Sequence, residues 1–487
     1  MPPLPPTSGS LGMAGSWQRY RIGELGKVLT GRTPPGTHPD YFGDCMPFLT
    51  PTDMDGRRKV ETTGRSLSQL GVDRLRQAIV PHGVAVSCIG WQMGKPLLVD
   101  RPVITNQQIN SIVADRTRIE ETFLYYALLS KRNEIFALGA GGSRTPILNK
   151  SGFESITIEA PPLPEQRAIA HILGALDDKI ELNRRMNETL EAMARALFKS
   201  WFVAFDPVRA KAEGQARQDG ARSGQPRKPL NVASDLPWPG AQAGVGAEGD
   251  PGLPQPLANL FPDSFQDSEL GEIPMGWRAG RLDDVLAELV SGARPKGGAV
   301  EEGVPSIGAE NVIGLGRYDF SKEKYVPQEF FERLKLNGAA VRAGDVLLYK
   351  DGAQIGRKTY FDCDFPHAEC AINEHVFILR PRRSEEQRFL FFWLDQASMT
   401  QEIVSLNSNS AQPGINQPGV RGLPVLLPKD EVVDAFDQLV ARLTARLFAN
   451  CKESRTLAAL RDTLLPKLIS GALRIDVAER LIKEPTI

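Results

Sequence analysis

Cysteine is scarce in this chain. Five residues (Cys45, Cys88, Cys363, Cys370 and Cys451) are scattered through a length of 487, and no two form a CxxC. An odd, dispersed set is neither a disulfide framework nor a zinc knuckle, so free thiols in a reducing cytosol are expected. Histidine is equally rare, with 5 residues and no HxxxH or HExxH spacing. The usual histidine-based metal signatures are therefore missing. No run of about 18 apolar residues occurs, so no membrane-spanning helix is expected. The start, MPPLPPTSGSLGMAGS, lacks the basic and apolar regions of a signal peptide, and residues 1–16 read as a disordered tail. Charge of one sign is absent too. The formal net charge is −1, so any polyanion must meet charge concentrated on one face. Catalytic signatures are also missing. There is no GxxxxGK[ST] loop for nucleotide phosphates, no DPPY or NPPY for amino-group methylation, and no Asp followed by a close ExK for metal-dependent cleavage. His82 and Cys88 are near each other in sequence, which makes no dyad; both read as core residues.

What the chain does have is itself, twice. Residues 189–202 read TLEAMARALFKSWF and residues 456–469 read TLAALRDTLLPKLI, 267 positions later. The offset holds along a whole helical seam. Ile169, Leu173, Leu176, Ile180, Asn183, Asn187, Leu190, Ala194, Leu197 and Trp201 alternate by four and three. Their counterparts are Phe436, Val440, Leu443, Leu447, Asn450, Ser454, Leu457, Arg461, Leu464 and Leu468. Sustained heptads predict two long helices packed on each other. The shared polar break at Asn183, Asn187 and Asn450 fits a register-fixing layer. An antiparallel register would set Asn187 against Asn450, Asn183 against Ser454, Ile180 against Leu457 and Leu173 against Leu464. Pro161, Pro162 and Pro164 pre-set the first helix, which runs to Phe202, roughly 58 Å at about 1.5 Å per residue. The second is expected from near Lys429 to about Leu465, where Pro466 should end or kink it.

The segments before the helices repeat more faintly. Trp17 and Trp277 each open a patterned stretch ending in a basic, Pro-containing loop. Gly90-Trp91-Gln92-Met93-Gly94-Lys95 matches Gly352-Ala353-Gln354-Ile355-Gly356-Arg357, and Ile104-Thr105-Asn106-Gln107 matches Ala371-Ile372-Asn373-Glu374. Short apolar runs with frequent turn signals suggest mixed, mainly antiparallel α+β globules. Residues 84–89 and 97–99 read as a hairpin, 156–158 as a late strand and 122–129 as a helix. In the second copy, 346–349 and 359–361 pair, and 389–394 is helical. Residues 17–160 hold 18 Lys+Arg against 14 Asp+Glu, whereas 277–427 hold 18 against 20. Pro, Gly, Ala, Gln and Ser dominate 213–256, which reads as a flexible linker.

Three stretches resemble a known family. They are PLPEQRAIA at 162–170 with LDDKI at 176–180, LFKSWFVAFDPV at 197–208, and DSELGEIPMGW at 267–277. LLPKLISG at 464–471 resembles its closing signature. Together they resemble the specificity subunits of type I restriction–modification systems. The resemblance implies an α+β fold in which two pseudo-two-fold-related target-recognition domains are separated by a long antiparallel two-helix coiled coil. It implies a disordered tail at 1–16, recognition domains at 17–161 and 277–428, spacer helices at 162–206 and 429–475, a flexible linker and approach segment at 207–276, and a tail at 476–487. It also implies a cytoplasmic, non-catalytic subunit that binds double-stranded DNA and two copies of a DNA methyltransferase subunit. ATP-dependent translocase/endonuclease subunits would join them. S-adenosylmethionine, ATP and magnesium are expected on those partners and no cofactor on this chain. The competing reading is a coiled-coil scaffold without sequence-specific DNA binding.

Candidate DNA-contacting residues are Arg32, Thr33, Gln92, Lys95 and Arg144 in the first globule. Arg294, Lys296, Gln354, Arg357 and Lys358 are their candidates in the second. Gln suits adenine, Arg and Lys suit guanine or phosphate, and the loops recur in both copies. The alternative is that such loops only turn the chain. Asn106 and Asn373 read as structural. Phe198, Trp201, Phe202 and Phe205 are candidates for a partner-docking patch, the alternative being packing inside this chain.

Overall fold

The computed structural model describes residues 17–90, 92–140, 146–223, 253–407 and 414–483. The chain divides into two units, one formed by residues 1–182 with 454–487 and the other by residues 183–453. Among the described residues no helix is long and apolar enough to cross a membrane.

The first unit is built on an antiparallel sheet ordered Gly26–Thr30, Ile109–Ala114, Gly83–Ser87, Pro96–Val99. Val84, Val86 and Ile112 are buried from one sheet face, where the helix Glu121–Ser130 adds Phe123, Leu124 and Tyr126. A second sheet holds one parallel pair, Phe42–Leu49 beside Val103–Thr105. Gln18–Arg21 pairs with Thr157–Ala160 and closes the globule just before the first long helix, Leu163–Phe202.

That helix is fastened by its opening motif. Gln166 is buried; its Oε1 accepts from the Glu120 N–H at 2.8 Å and its Nε2 donates to the Pro161 carbonyl at 2.8 Å. Further along the helix, Asp177 accepts from the Tyr126 hydroxyl at 2.6 Å and pairs with Arg461 of the second long helix at 2.8 Å. Within this unit Ile169, Leu173, Leu176, Leu464 and Leu468 are buried, while Ile180 and Leu457 are half-buried.

The second unit repeats the plan. Its antiparallel sheet is ordered Leu286–Ser291, Val376–Pro381, Val346–Tyr349, Lys358–Tyr360, strand for strand the same path. It too has a parallel pair, Val304–Ile307 beside Ala371–Ile372. The helix Glu386–Asp395 covers the sheet with Phe389, Phe391 and Phe392. Arg278–Arg281 pairs with Pro424–Leu427 just ahead of the second long helix, Asp430–Ile469. Here Ala194, Phe436, Val440 and Leu447 are buried, and Leu190, Leu197 and Leu443 pack against them half-buried.

The polar layer lies in this unit. Asn450 Nδ2 donates to Asn187 Oδ1 at 2.9 Å, and Asn187 Nδ2 donates to Cys451 Sγ at 3.3 Å. Asn183 Nδ2 donates to Glu453 Oε2 at 2.8 Å. Such pairs are satisfied in one helix register and broken by a shift of one turn. With Phe198 packed on Phe436, they fix the helices as antiparallel.

Three expectations need correcting. Pro466 does not end its helix, which continues to Ile469. A proline there removes one late hydrogen bond, and the burial of Leu464, Leu465 and Leu468 holds the last turn in place. The flexible linker expected at 213–256 begins inside a helix. Phe205 adopts a left-handed φ of 57° that breaks the first long helix, and a further helix, Asp206–Ser223, starts at once with Val208 buried. Past the gap, Phe261 and Ile273 are buried and Phe265–Ser268 pairs with Gly271–Pro274. The rest of the proposed linker, 224–252, lies outside the described residues, as does the 1–16 tail. Finally, 476–487 is not simply a tail, because Ile475–Lys483 is helical and Ala478 is buried in the first unit.

Candidate nucleic-acid interface

In each unit three turns converge on one end of the main sheet. In the first, the hairpin after Gly83–Ser87 is shaped by Gly90 and Gly94, with φ of 74° and 84°. Left-handed backbone of this kind favours glycine, and a Cβ on Gly94 would lie 2.9 Å from the Arg132 carbonyl. The Gly94 N–H donates to the Ser87 carbonyl at 2.8 Å, and the Ser87 hydroxyl donates to the Gln92 carbonyl at 2.6 Å. Met93 is buried, so Gln92 is turned outward and exposed. Lys95 Nζ donates to Gln92 Oε1 at 2.8 Å. Partial burial and the nearby Arg132 lower the Lys95 pKa, with Asp55 opposing them.

The second turn carries Arg32 and Thr33. Gly31 permits it: a Cβ there would overlap the Asn106 carbonyl. The Arg32 N–H donates to the Thr105 carbonyl at 2.8 Å, and the Thr33 hydroxyl bonds Gln107 Oε1. Both side chains are exposed.

The third turn joins the other two. Asn106 Oδ1 accepts from the Gln108 N–H at 3.0 Å, the Asn106 N–H donates to the Leu49 carbonyl at 2.9 Å, and the Cys88 N–H donates to the Gln108 carbonyl at 2.8 Å. Asn106 therefore acts as a local backbone cap of the Asx-turn kind.

The second unit repeats the backbone frame of the hairpin and of the asparagine turn. Gly352 and Gly356 have φ of 82° and 88°. The Gly356 N–H donates to the Tyr349 carbonyl at 3.0 Å, and the Lys350 N–H donates to the His375 carbonyl at 3.0 Å. Asn373 Oδ1 accepts from the His375 N–H at 3.0 Å, and the Asn373 N–H donates to the Ile307 carbonyl at 2.9 Å. Gly292 stands where a Cβ would overlap the Ile372 carbonyl. Arg294, Lys296, Gln354 and Arg357 are all exposed on these loops.

The frame is common and the chemistry differs. In the first unit the capping asparagine is followed by neutral Gln107 and Gln108. In the second it is followed by Glu374 and His375, with Arg294 at 3.9 Å from Glu374 and His375 Nδ1 at 3.1 Å from Asp351. Lys350 Nζ donates to the Ser291 hydroxyl at 3.1 Å. Gln107, Gln108, Glu374, His375 and Lys350 also stand on these turns, outside the residues singled out from the sequence. A signal existed: the repeat keeps the asparagine and changes the two residues after it.

Not every candidate belongs to this surface. Lys358 is buried in its strand, and its ammonium donates to the Leu394 carbonyl at 2.7 Å and the Thr400 hydroxyl at 2.6 Å. Burial brings its pKa down to about 8, against the pull of Asp395. It is an interior tie and cannot reach DNA. Arg144 lies outside the described residues. Phe198, Trp201, Phe202 and Phe205 do not form a docking patch, because all four are buried in the second unit's own core. Phe202 alone sits 5.1 Å from the Phe436 ring, 4.9 Å from Phe389 and 6.0 Å from Trp277.

Residues 15–192 match the model of the type I restriction modification DNA specificity domain. The type I restriction enzyme MjaIX specificity subunit of Methanocaldococcus jannaschii is 24% identical over 472 residues, which cover 94% of this chain and 94% of that protein. The HindI specificity subunit of Haemophilus influenzae is 25% identical over 481 residues, covering 94% and 99% respectively. In fold, the chain is similar to the crystal structure of a type I restriction–modification S subunit from M. genitalium, with a TM-score of 0.52 at 16% identity, covering 94% of this chain and 97% of that one. Along nearly its whole length the chain is thus similar to type I restriction–modification specificity subunits, with the specificity-domain model matched over residues 15–192 and the S-subunit fold shared.

Proposed function

We propose that this chain catalyses no reaction and supplies the sequence specificity of a complex whose chemistry resides in other subunits. Each globular head reads one half of a bipartite site in double-stranded DNA. The two long helices, each of which contributes residues to both units, set the length of unread DNA between the halves. They also bind two copies of a DNA methyltransferase subunit. ATP-dependent translocase/endonuclease subunits complete the restriction complex. S-adenosylmethionine, ATP and magnesium are held by these partners, and the assembly works in the cytoplasm.

One observation carries this reading. The same three-turn frame is built twice, and each copy presents exposed Arg and Gln side chains from loops fixed by backbone hydrogen bonds. Rigid loops with guanidinium and amide groups suit phosphate and base edges together. A scaffold without sequence-specific binding has no need of such a frame.

The isolated chain is expected neither to methylate nor to cut DNA when given S-adenosylmethionine, ATP and magnesium. Adding the methyltransferase subunit is expected to produce methylation confined to one bipartite sequence. Methyl transfer or cleavage by the contaminant-free chain would contradict the proposal. So would a reconstituted complex that methylates without sequence preference.

A further inference from the structure

We propose that the two residues after each capping asparagine determine which base each head reads. They are Gln107 and Gln108 in the first head, and Glu374 and His375 in the second. The inference rests on the sheet ends being the DNA-facing surfaces.

Asn106 and Asn373 occupy equal places in the two copies, and each accepts from the N–H two residues on, at 3.0 Å in both. Each turn is also held by the hairpin beside it, through Cys88 to Gln108 at 2.8 Å and Lys350 to His375 at 3.0 Å. The parallel strand pair leads into both turns, Leu49 opposite Thr105 and Ile307 opposite Ile372. The backbone bonds that hold both turns are shared, so the copies differ in the side chains presented and in what those side chains touch.

Those side chains have different hydrogen-bonding capacity. The Thr33 hydroxyl orients Gln107 Oε1, which keeps a second lone pair, while Nε2 remains a donor. An acceptor and a donor on one amide match adenine N6 and N7. Asn106 Nδ2 donates to Gln108 Oε1 at 3.2 Å, which directs the second amide as well. Glu374 can only accept, and the matching group in the major groove is the cytosine N4 amino group. A carboxylate facing a polyanion is unfavourable unless it is offset. Here Arg294 lies 3.9 Å and His375 Nε2 lies 3.5 Å from it. A carboxylate kept on this surface, beside the Arg294 guanidinium and the His375 imidazole, is placed for a donor on a base edge.

The test is a pair of exchanges in the full chain assembled with its methyltransferase subunit, read by mapping methylated sites and by binding to cognate and singly substituted duplexes. One variant carries Gln107→Glu with Gln108→His, the other Glu374→Gln with His375→Gln. The peptide groups that build the turns are unchanged, so both variants are expected to fold. Each exchange is expected to alter base preference at one or two adjacent positions in one half-site only. The ratio of cognate to substituted binding should shift by about tenfold or more, the scale of one bidentate base contact. For a variant too weak to methylate, the same binding ratio decides. An unchanged ratio, with affinity falling equally on all duplexes, would overturn the inference and leave a phosphate-contact role. If the wild-type complex itself showed no bipartite preference, the underlying reading would fail instead.

Discussion

Arg380→Ala is expected to cost the second unit about 4 kcal/mol, the scale for stranding one member of a buried ion pair. Arg380 and Asp345 are 6% and 1% exposed. The guanidinium meets both Asp345 oxygens at 2.7 Å, Glu288 at 2.6 Å, and the Gly338 and Ala340 carbonyls at 2.8 Å. Burial pushes the Asp345 carboxyl up, while Arg380 and the Arg342 N–H, donating at 2.8 Å, pull it down. Without Arg380 the first effect has no opponent of comparable size, and the two carbonyls lose a donor as well. Replacing both partners, Arg380→Met with Asp345→Leu, should restore much of the loss, because apolar residues carry no desolvation cost. Urea unfolding followed through Trp277 and Trp393 measures both variants. A loss under about 1 kcal/mol for Arg380→Ala would show that this cluster is not the tie it is taken to be.

Phe202→Ala is expected to have a similar effect, about 4 kcal/mol, the usual scale for emptying a fully buried aromatic site. The ring joins the first long helix to Phe436 on the second, to Phe389 over the sheet and to Trp277 at the start of the second head. Its loss should loosen the joint between helices and head, and expose Trp277 to quencher. A variant of native stability that merely failed to bind a partner subunit would instead revive the docking-patch reading.

The long helices were legible because their signal is periodic and local. A 3.5-residue repeat sustained over ten positions is produced by little besides a pair of packed helices, and its polar break survives as the Asn187–Asn450 hydrogen bond. The hairpin turns were legible through paired glycines in both copies. The aromatic run at 198–205 was visible, but a sequence does not say what covers an apolar surface; the cover comes from Phe261, Phe389 and Phe436, far along the chain. Lys358 misled because its strand is buried on both faces, so alternation gave no warning. The helix Asp206–Ser223 was hidden by composition: it buries Val208 near its start and shows no apolar stripe, so Ala, Gln and Arg read as linker. The residues that differ between the copies, at 107–108 and 374–375, were lost inside a motif read only for its likeness.

The account stands on two separable reading heads, and one exchange tests that most directly. Residues 17–161 would be replaced by the matching segment of a relative with a different site, and methylated adenines mapped in cells carrying the chimera with the methyltransferase subunit. The account predicts that one half of the recognised sequence changes, while the other half and the spacer stay as they were. Simultaneous change in both halves, or an unchanged site from a folded and active chimera, would contradict it.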